Sequence, residues 1–184
     1  MSALNVGIKG FEDALRSLNE KLAAEKLIIE IRAVGGYALL FNKLRNDGYT
    51  VDVDTLTADY PVRVKELIRE VAVEKGLEED WINNDAYSLH ETMGIYNEIE
   101  WLEDRSFSNI KLYVADLNSL LKLKARAIHY GGLVPRVTDK TDLLDILSAI
   151  GIRNITEVET NPAINDLMTK YERCYNFLKD VKEW

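Results

Sequence analysis

The chain is 184 residues long and 47% hydrophobic, with one cysteine and a net charge of −8 at pH 7. That length holds one full core with room for a small second lobe, and the composition is that of an ordered globular protein. The negative balance argues against indiscriminate nucleic-acid binding, a single Cys174 excludes an internal disulfide or a cysteine-rich zinc cage, and no apolar run reaches the roughly 18 residues of a membrane span.

The N-terminal stretch, residues 1–18, lacks a basic segment followed by a long apolar core, so it reads as a helix rather than a signal peptide and the expected location is cytoplasmic. Acidic residues dominate from Asp47 to Asp104. Lys111, Lys122, Lys124, Arg126, Arg136, Lys140 and Arg153 enrich the stretch that follows. A locally positive lobe facing an acidic one and an ordinary scatter of surface charge both fit this pattern.

Phe11, Leu15, Leu18 and Leu22 recur at helical spacing, which predicts a helix over 8–24. A β-branched run ended by glycines predicts a strand from Leu27 to Val34. Residues Tyr37 to Leu44 favour helix, closed by an Asn-Asp-Gly turn at 46–48. From Tyr49 to Thr57 the chain alternates with period two: Val51, Val53 and Thr55 point one way, Asp52 and Asp54 the other. Pro61 suits the first turn of the next helix, Val64, Leu67, Ile68 and Val71 form its buried stripe, and Gly76 ends it. The middle of the chain mixes turn residues with aromatics and offers a strand only near Tyr96–Leu102. Residues 110–114 read as a strand, 117–130 and 139–150 as helices joined by a Val-Pro-Arg-Val connector, with Gly151 as a stop. Asn161 caps a last helix with Pro162 in its first turn. The fold class expected is α+β, with a small mixed sheet flanked by helices over 1–116 and a helical C-terminal part over 117–184.

Two short features carry chemistry. Gly35 and Gly36 lie between a strand and a helix, where free backbone N–H groups attract anions, although glycines there also serve merely to permit a tight turn. Asp52 and Asp54 share one strand face about 7 Å apart. Their repulsion is relieved by a hard divalent cation such as Mg²⁺ or Mn²⁺, or else they form the solvated face of an edge hairpin. On the helix from Leu117, Lys124 falls in the middle of the apolar side, so it needs an anionic partner or a route to solvent. Trp81, Trp101, Tyr171, Tyr175 and Phe177 read as core or interface residues, and His90 and His129 as structural.

The order Gly-Gly, helix, strand with Asp-x-Asp resembles the nucleotidyltransferase superfamily of the DNA polymerase β type. The segment from Val114 to Ala127 and the Thr-Asp-Leu-Leu-Asp run at 141–145 resemble the abortive-infection (AbiEii-like) toxin branch. Trp81 to Asp85 is similar to a Trp-Leu-Asn-Asp segment of an uncharacterised branch. The resemblance spans roughly residues 27–151. It implies that Gly35, Gly36 and the adjoining Tyr37 hold the phosphates of an NTP and that Asp52 and Asp54 bind Mg²⁺ or Mn²⁺. It implies further that Lys124 reaches a phosphate and that Asp142, with Asp145, supplies catalytic acids. Tyr37 stands where many active members have serine, and Thr141 where lysine is commoner. The third carboxylate is sought among Glu98, Glu100 and Asp116.

The function expected is transfer of NMP from an NTP to a hydroxyl acceptor, with no membrane partner; the resemblance to the toxin branch implies RNA, tRNA or a protein side chain as acceptor and a toxin–antitoxin pair with an antitoxin protein as partner. The alternative is a catalytically degraded relative that binds nucleotide or a partner. A third reading makes the acidic face a docking surface for a basic protein.

Overall fold

The computed structural model describes residues 7–44, 50–87, 95–131 and 136–184. Its class is α+β, and the chain divides into two compact units, Met1–Asp116 and Leu117–Trp184. The expected turn at 46–48, residues 134 and 135 of the Val-Pro-Arg-Val connector and His90 lie outside the described residues. Among those described, no helix is long and apolar enough to cross a membrane.

In the first unit, helix α1 (Ile8–Ala24) buries Phe11, Ala14, Leu15, Leu18 and Leu22 along one stripe. Strand β1 (Ile29–Ala33) is shorter than its β-branched run suggested, and it buries alternate residues. Helix α2 (Gly35–Phe41) starts two residues earlier than expected, because the glycines themselves make its first turn. Strand β2 (Val53–Asp54) is only a fragment of the alternating stretch. Beyond it the chain is captured by β1: Leu56 N–H donates to the Arg32 carbonyl at 2.8 Å, and Arg32 N–H to Thr57 Oγ1 at 2.9 Å.

Helix α3 (Val62–Lys75) has Pro61 as the residue just before it, and Gly76 closes it in the left-handed conformation. Strand β3 (Ile82–Asn83) was not anticipated. Residues Ile95–Glu98 form a 3-10 turn and β4 covers Trp101–Asp104, so the strand expected at 96–102 begins five residues later. Strand β5 (Ile110–Ala115) follows.

Strands β1, β5 and β4 form one sheet in that order, β1 parallel and β4 antiparallel to β5. Strands β2 and β3 pair in parallel, Asp54 opposite Asn83. An antiparallel bridge between Ala33 and Thr55 ties β2 to the end of β1, reinforced by Val34 N–H donating to the Asp54 carbonyl at 2.9 Å. Bridge partners share a face, so Val53, Thr55 and Ala33, all fully buried, look into the core. Asp54 therefore looks the other way, onto the face carrying Glu30, Arg32, Lys111 and Tyr113. Arg32 lies flat there, its guanidinium carbon 5.1 to 5.5 Å from the ring centres of Tyr96, Trp101 and Tyr113, with Nε on Glu30 at 2.6 Å.

The core centres on Phe11, edge-on to Tyr37 at 5.9 Å and stacked with Trp81 at 6.3 Å. Trp81 is fully buried and satisfies its indole by donating to the Ile68 carbonyl at 3.0 Å.

The second unit is helical: α4 (Leu117–Tyr130), α5 (Val137–Ala149), α6 (Ile155–Thr160), α7 (Pro162–Lys170) and α8 (Glu172–Val181). Helix α6 is an addition to expectation, capped by the Asn154 side chain accepting from Glu157 N–H at 3.0 Å. The single last helix expected after Asn161 is two, parted at Tyr171, whose backbone (φ −115°, ψ 71°) leaves the helical region. Buried Cys174 packs its sulfur 3.5 Å from that of Met168, and burial pushes the thiol up to about 12, an inert core position.

Candidate functional site

The turn from β1 into α2 is built on one backbone conformation. Gly35 has φ +62°, where a Cβ crowds its own carbonyl, and the space a Cβ would fill is taken by the Asp54 carboxylate. Only glycine permits that carboxylate to lie against the turn. The role of the first glycine is thus steric accommodation of the acid, in addition to freeing the first N–H groups of α2.

Asp52 and Asp54 are half-buried. The Asp52 carboxyl is pushed up to about 6, first by burial and then by the neighbouring charge of Asp54, while hydrogen bonds from Asn83 and Thr50 pull the other way. Asn83 Nδ2 donates to Asp52 Oδ2 at 3.0 Å, and Thr50 Oγ1 approaches Asp52 Oδ1 at 3.5 Å. The backbone on either side of Asp54 is held to β3 and its approach: Val53 N–H donates to the Trp81 carbonyl at 2.7 Å and Thr55 N–H to that of Asn83 at 2.9 Å. A close pair of hard carboxylates, with the wall behind one of them cut back to a glycine, is a donor set that fits Mg²⁺ or Mn²⁺. No set of three His, Cys, Asp or Glu side chains that could hold a metal ion is present among the described residues. Of the residues considered as a third acid, Glu98 and Glu100 are exposed, and Asp116 follows β5 with its N–H on the Glu100 carbonyl at 3.1 Å.

The side chain of Tyr37, expected beside the nucleotide, is 1% exposed and packed on Phe11, with its hydroxyl pKa raised by burial. Its side chain belongs to the core, because the turn made by Gly35 and Gly36 points the third residue of the helix inward.

Lys124 and Asp142 come together in the second unit. Lys124 Nζ lies 2.9 Å from Asp139 Oδ1 and 2.7 Å from Asp142 Oδ2, and all three side chains are nearly or wholly buried. Arg136 adds Nε and Nη2 contacts to Asp139 at 2.8 and 3.1 Å. Burial alone would raise the Asp139 carboxyl, but the hydrogen bonds from Arg136 and Lys124 outweigh it and hold the group below the ordinary range. The misplaced charge on the apolar side of α4 is thus met by two acids from the first turns of α5, whereas Asp145 is exposed.

Two contacts are not marked in the sequence: Asn83 is one letter of a Trp-Ile-Asn-Asn-Asp string, and nothing local sets Asp139 apart from Asp142 and Asp145. The signal that could have found Asp139 is its place, like that of Asp142, on the early turns of a helix following a buried lysine. No family model, curated protein or solved structure matches the chain.

Proposed function

We propose that the chain is a metal-dependent nucleotidyltransferase that moves NMP from an NTP to a hydroxyl acceptor and releases pyrophosphate. The observation that carries the reading is the seating of the Asp54 carboxylate in the space left by Gly35, which puts an anion-attracting turn and a cation-attracting acid side by side. A divalent ion held by Asp52 and Asp54 would supply charge neutralisation at the phosphoryl oxygens. The residues of the chain do the rest. The backbone N–H groups at Gly35 and Gly36 hold polyphosphate, and Asn83 and Thr50 fix the orientation of Asp52. The buried wall of Val53 and Thr55 keeps the strand from shifting. In the transfer itself, the acceptor oxygen bonds to the α-phosphorus as the bond to the bridging oxygen breaks, pyrophosphate leaves with that electron pair, and the acceptor's hydroxyl proton is released to solvent.

The acceptor classes that accord with this reading are RNA, tRNA or a protein side chain, and a toxin's role would bring an antitoxin protein as partner. The test pairs a binding measurement with turnover. A non-hydrolysable NTP with Mn²⁺ should raise the melting temperature of the native chain and leave that of the Asp52→Ala, Asp54→Ala double variant unmoved. Radiolabelled NTP with total RNA or protein should yield labelled acceptor and pyrophosphate. Nucleotide affinity without pyrophosphate favours the binding-only relative; no shift with any of the four NTPs ends the nucleotide reading.

A further inference from the structure

We propose that Asn83 is the positioning residue of this site: its carboxamide holds Asp52 Oδ2 and, with Thr50 on Oδ1 at 3.5 Å, fixes the carboxylate in the orientation in which it takes a divalent cation. It does so from a strand position where an acid would instead add a third charged ligand. The proposal rests on the metal site named above and goes further in assigning a residue that neither charge nor the Asp-x-Asp pattern marks.

Strand β3 lies parallel to β2 with Asn83 opposite Asp54, so the two side chains share a sheet face. The backbone of Asn83 is anchored, because its carbonyl accepts from Thr55 N–H at 2.9 Å. Both ends of the side chain are used. Oδ1 accepts from Asp85 N–H at 3.2 Å, and Nδ2 donates to Asp52 Oδ2 at 3.0 Å. The first bond decides the second: with the oxygen turned to an N–H, the amide must present its nitrogen to Asp52. An aspartate at 83 could keep the contact to Asp85 but would turn an oxygen towards the Asp52 oxygen. Two anionic oxygens would then stand at hydrogen-bonding distance with no proton between them. Such an arrangement is relieved only by a shared proton, which raises one carboxyl further, or by a cation. The amide therefore orients Asp52 without charging the site, the role that outer partners play for metal-ligating carboxylates.

The experiment titrates the full, metal-free chain with Mn²⁺ in the absence of nucleotide, reading free Mn²⁺ by electron paramagnetic resonance and stability by thermal melting. Asn83→Ala should weaken Mn²⁺ binding about tenfold or more. Asn83→Asp, which keeps the shape and so serves should Asn83→Ala fold poorly, should melt below the native chain without metal. It should bind Mn²⁺ more tightly than the native chain and regain its melting temperature when loaded. A merely structural asparagine would leave Mn²⁺ affinity per folded chain unchanged in Asn83→Ala. If the native chain binds Mn²⁺ and folded Asn83→Ala binds it as tightly, the positioning role is overturned while the metal site stands. If the native chain takes up no Mn²⁺, the site and the role of Asn83 fall together.

Discussion

Lys124 on α4 and Asp142 on α5 form an ion pair of 2.7 Å with both side chains almost removed from solvent, and Asp139 completes the cluster at 2.9 Å. Breaking such a cluster from one side leaves charge buried without compensation. Lys124→Met should therefore destabilise the fold by roughly 3 kcal/mol. Asp142→Asn should cost less, because Lys124 keeps Asp139. Chemical denaturation of the three proteins checks the order, and a Lys124→Met protein as stable as the native chain would contradict it. Any nucleotide contact of Lys124 would show separately, as lost NTP affinity in a variant corrected for folding.

Gly35 and Gly151 give a controlled pair. Both have positive φ, +62° and +87°, but a Cβ on Gly151 meets nothing whereas one on Gly35 strikes Asp54. Gly151→Ala should cost only the backbone strain, about 1 kcal/mol. Gly35→Ala should cost more and should abolish Mn²⁺ binding, since Asp54 must leave its seat. Equal stability losses with Mn²⁺ affinity retained would show that the acid is not held by the turn.

The Asp52 carboxyl, raised from 3.8 to about 6, makes stability and metal affinity depend on pH in opposite directions. Between about pH 4 and pH 6 the folded chain holds a proton at Asp52 that the unfolded chain has lost. This group's contribution to metal-free stability is thus complete below pH 4 and disappears as pH rises through 6. Mn²⁺ competes with the same proton, so its affinity should climb towards pH 6 and then level off. Melting curves and Mn²⁺ titrations of the native chain against Asp52→Asn isolate this group: the variant should lose both slopes.

Trp81 links the core to the site through a single residue. Its indole N–H donates to the Ile68 carbonyl, its ring stacks on Phe11, and its own carbonyl holds Val53. Trp81→Phe removes the N–H and leaves a small void, a loss of about 2 kcal/mol by denaturant melting. Nucleotide affinity should fall little, because the backbone bond to Val53 survives the change. A large loss of affinity at small cost in stability would show that the indole itself shapes the site.

What could be read from the chain follows the range of the forces involved. The stripe of α1, the glycine stop after β1 and the alternation around Asp52 and Asp54 are local patterns, and each leads to a real element or face. Lys124 stood out because helical periodicity alone exposes a charge on an apolar side. Its partners did not, since choosing Asp139 and Asp142 over Asp145 requires the packing of α4 on α5. Strand β3 was hidden for a related reason: two residues, Ile82 and Asn83, become a strand only because β2 lies beside them. The place of the Tyr37 ring is not legible locally, because its neighbours in sequence are the glycines of the turn, while its neighbour in space is Phe11.

Strand β2 has almost no order of its own. Val53 and Thr55 donate to β3 and its approach, Leu56 donates to Arg32, and Asp54 accepts from Val34. The two aspartates consequently ride on a splint clamped from either flank, and neither flank can release it alone. Amide protons of Val34, Val53, Thr55 and Leu56 should accordingly exchange with deuterium at one common rate, in a single concerted opening. Any partner or ligand that grips one edge of the splint would slow all four together.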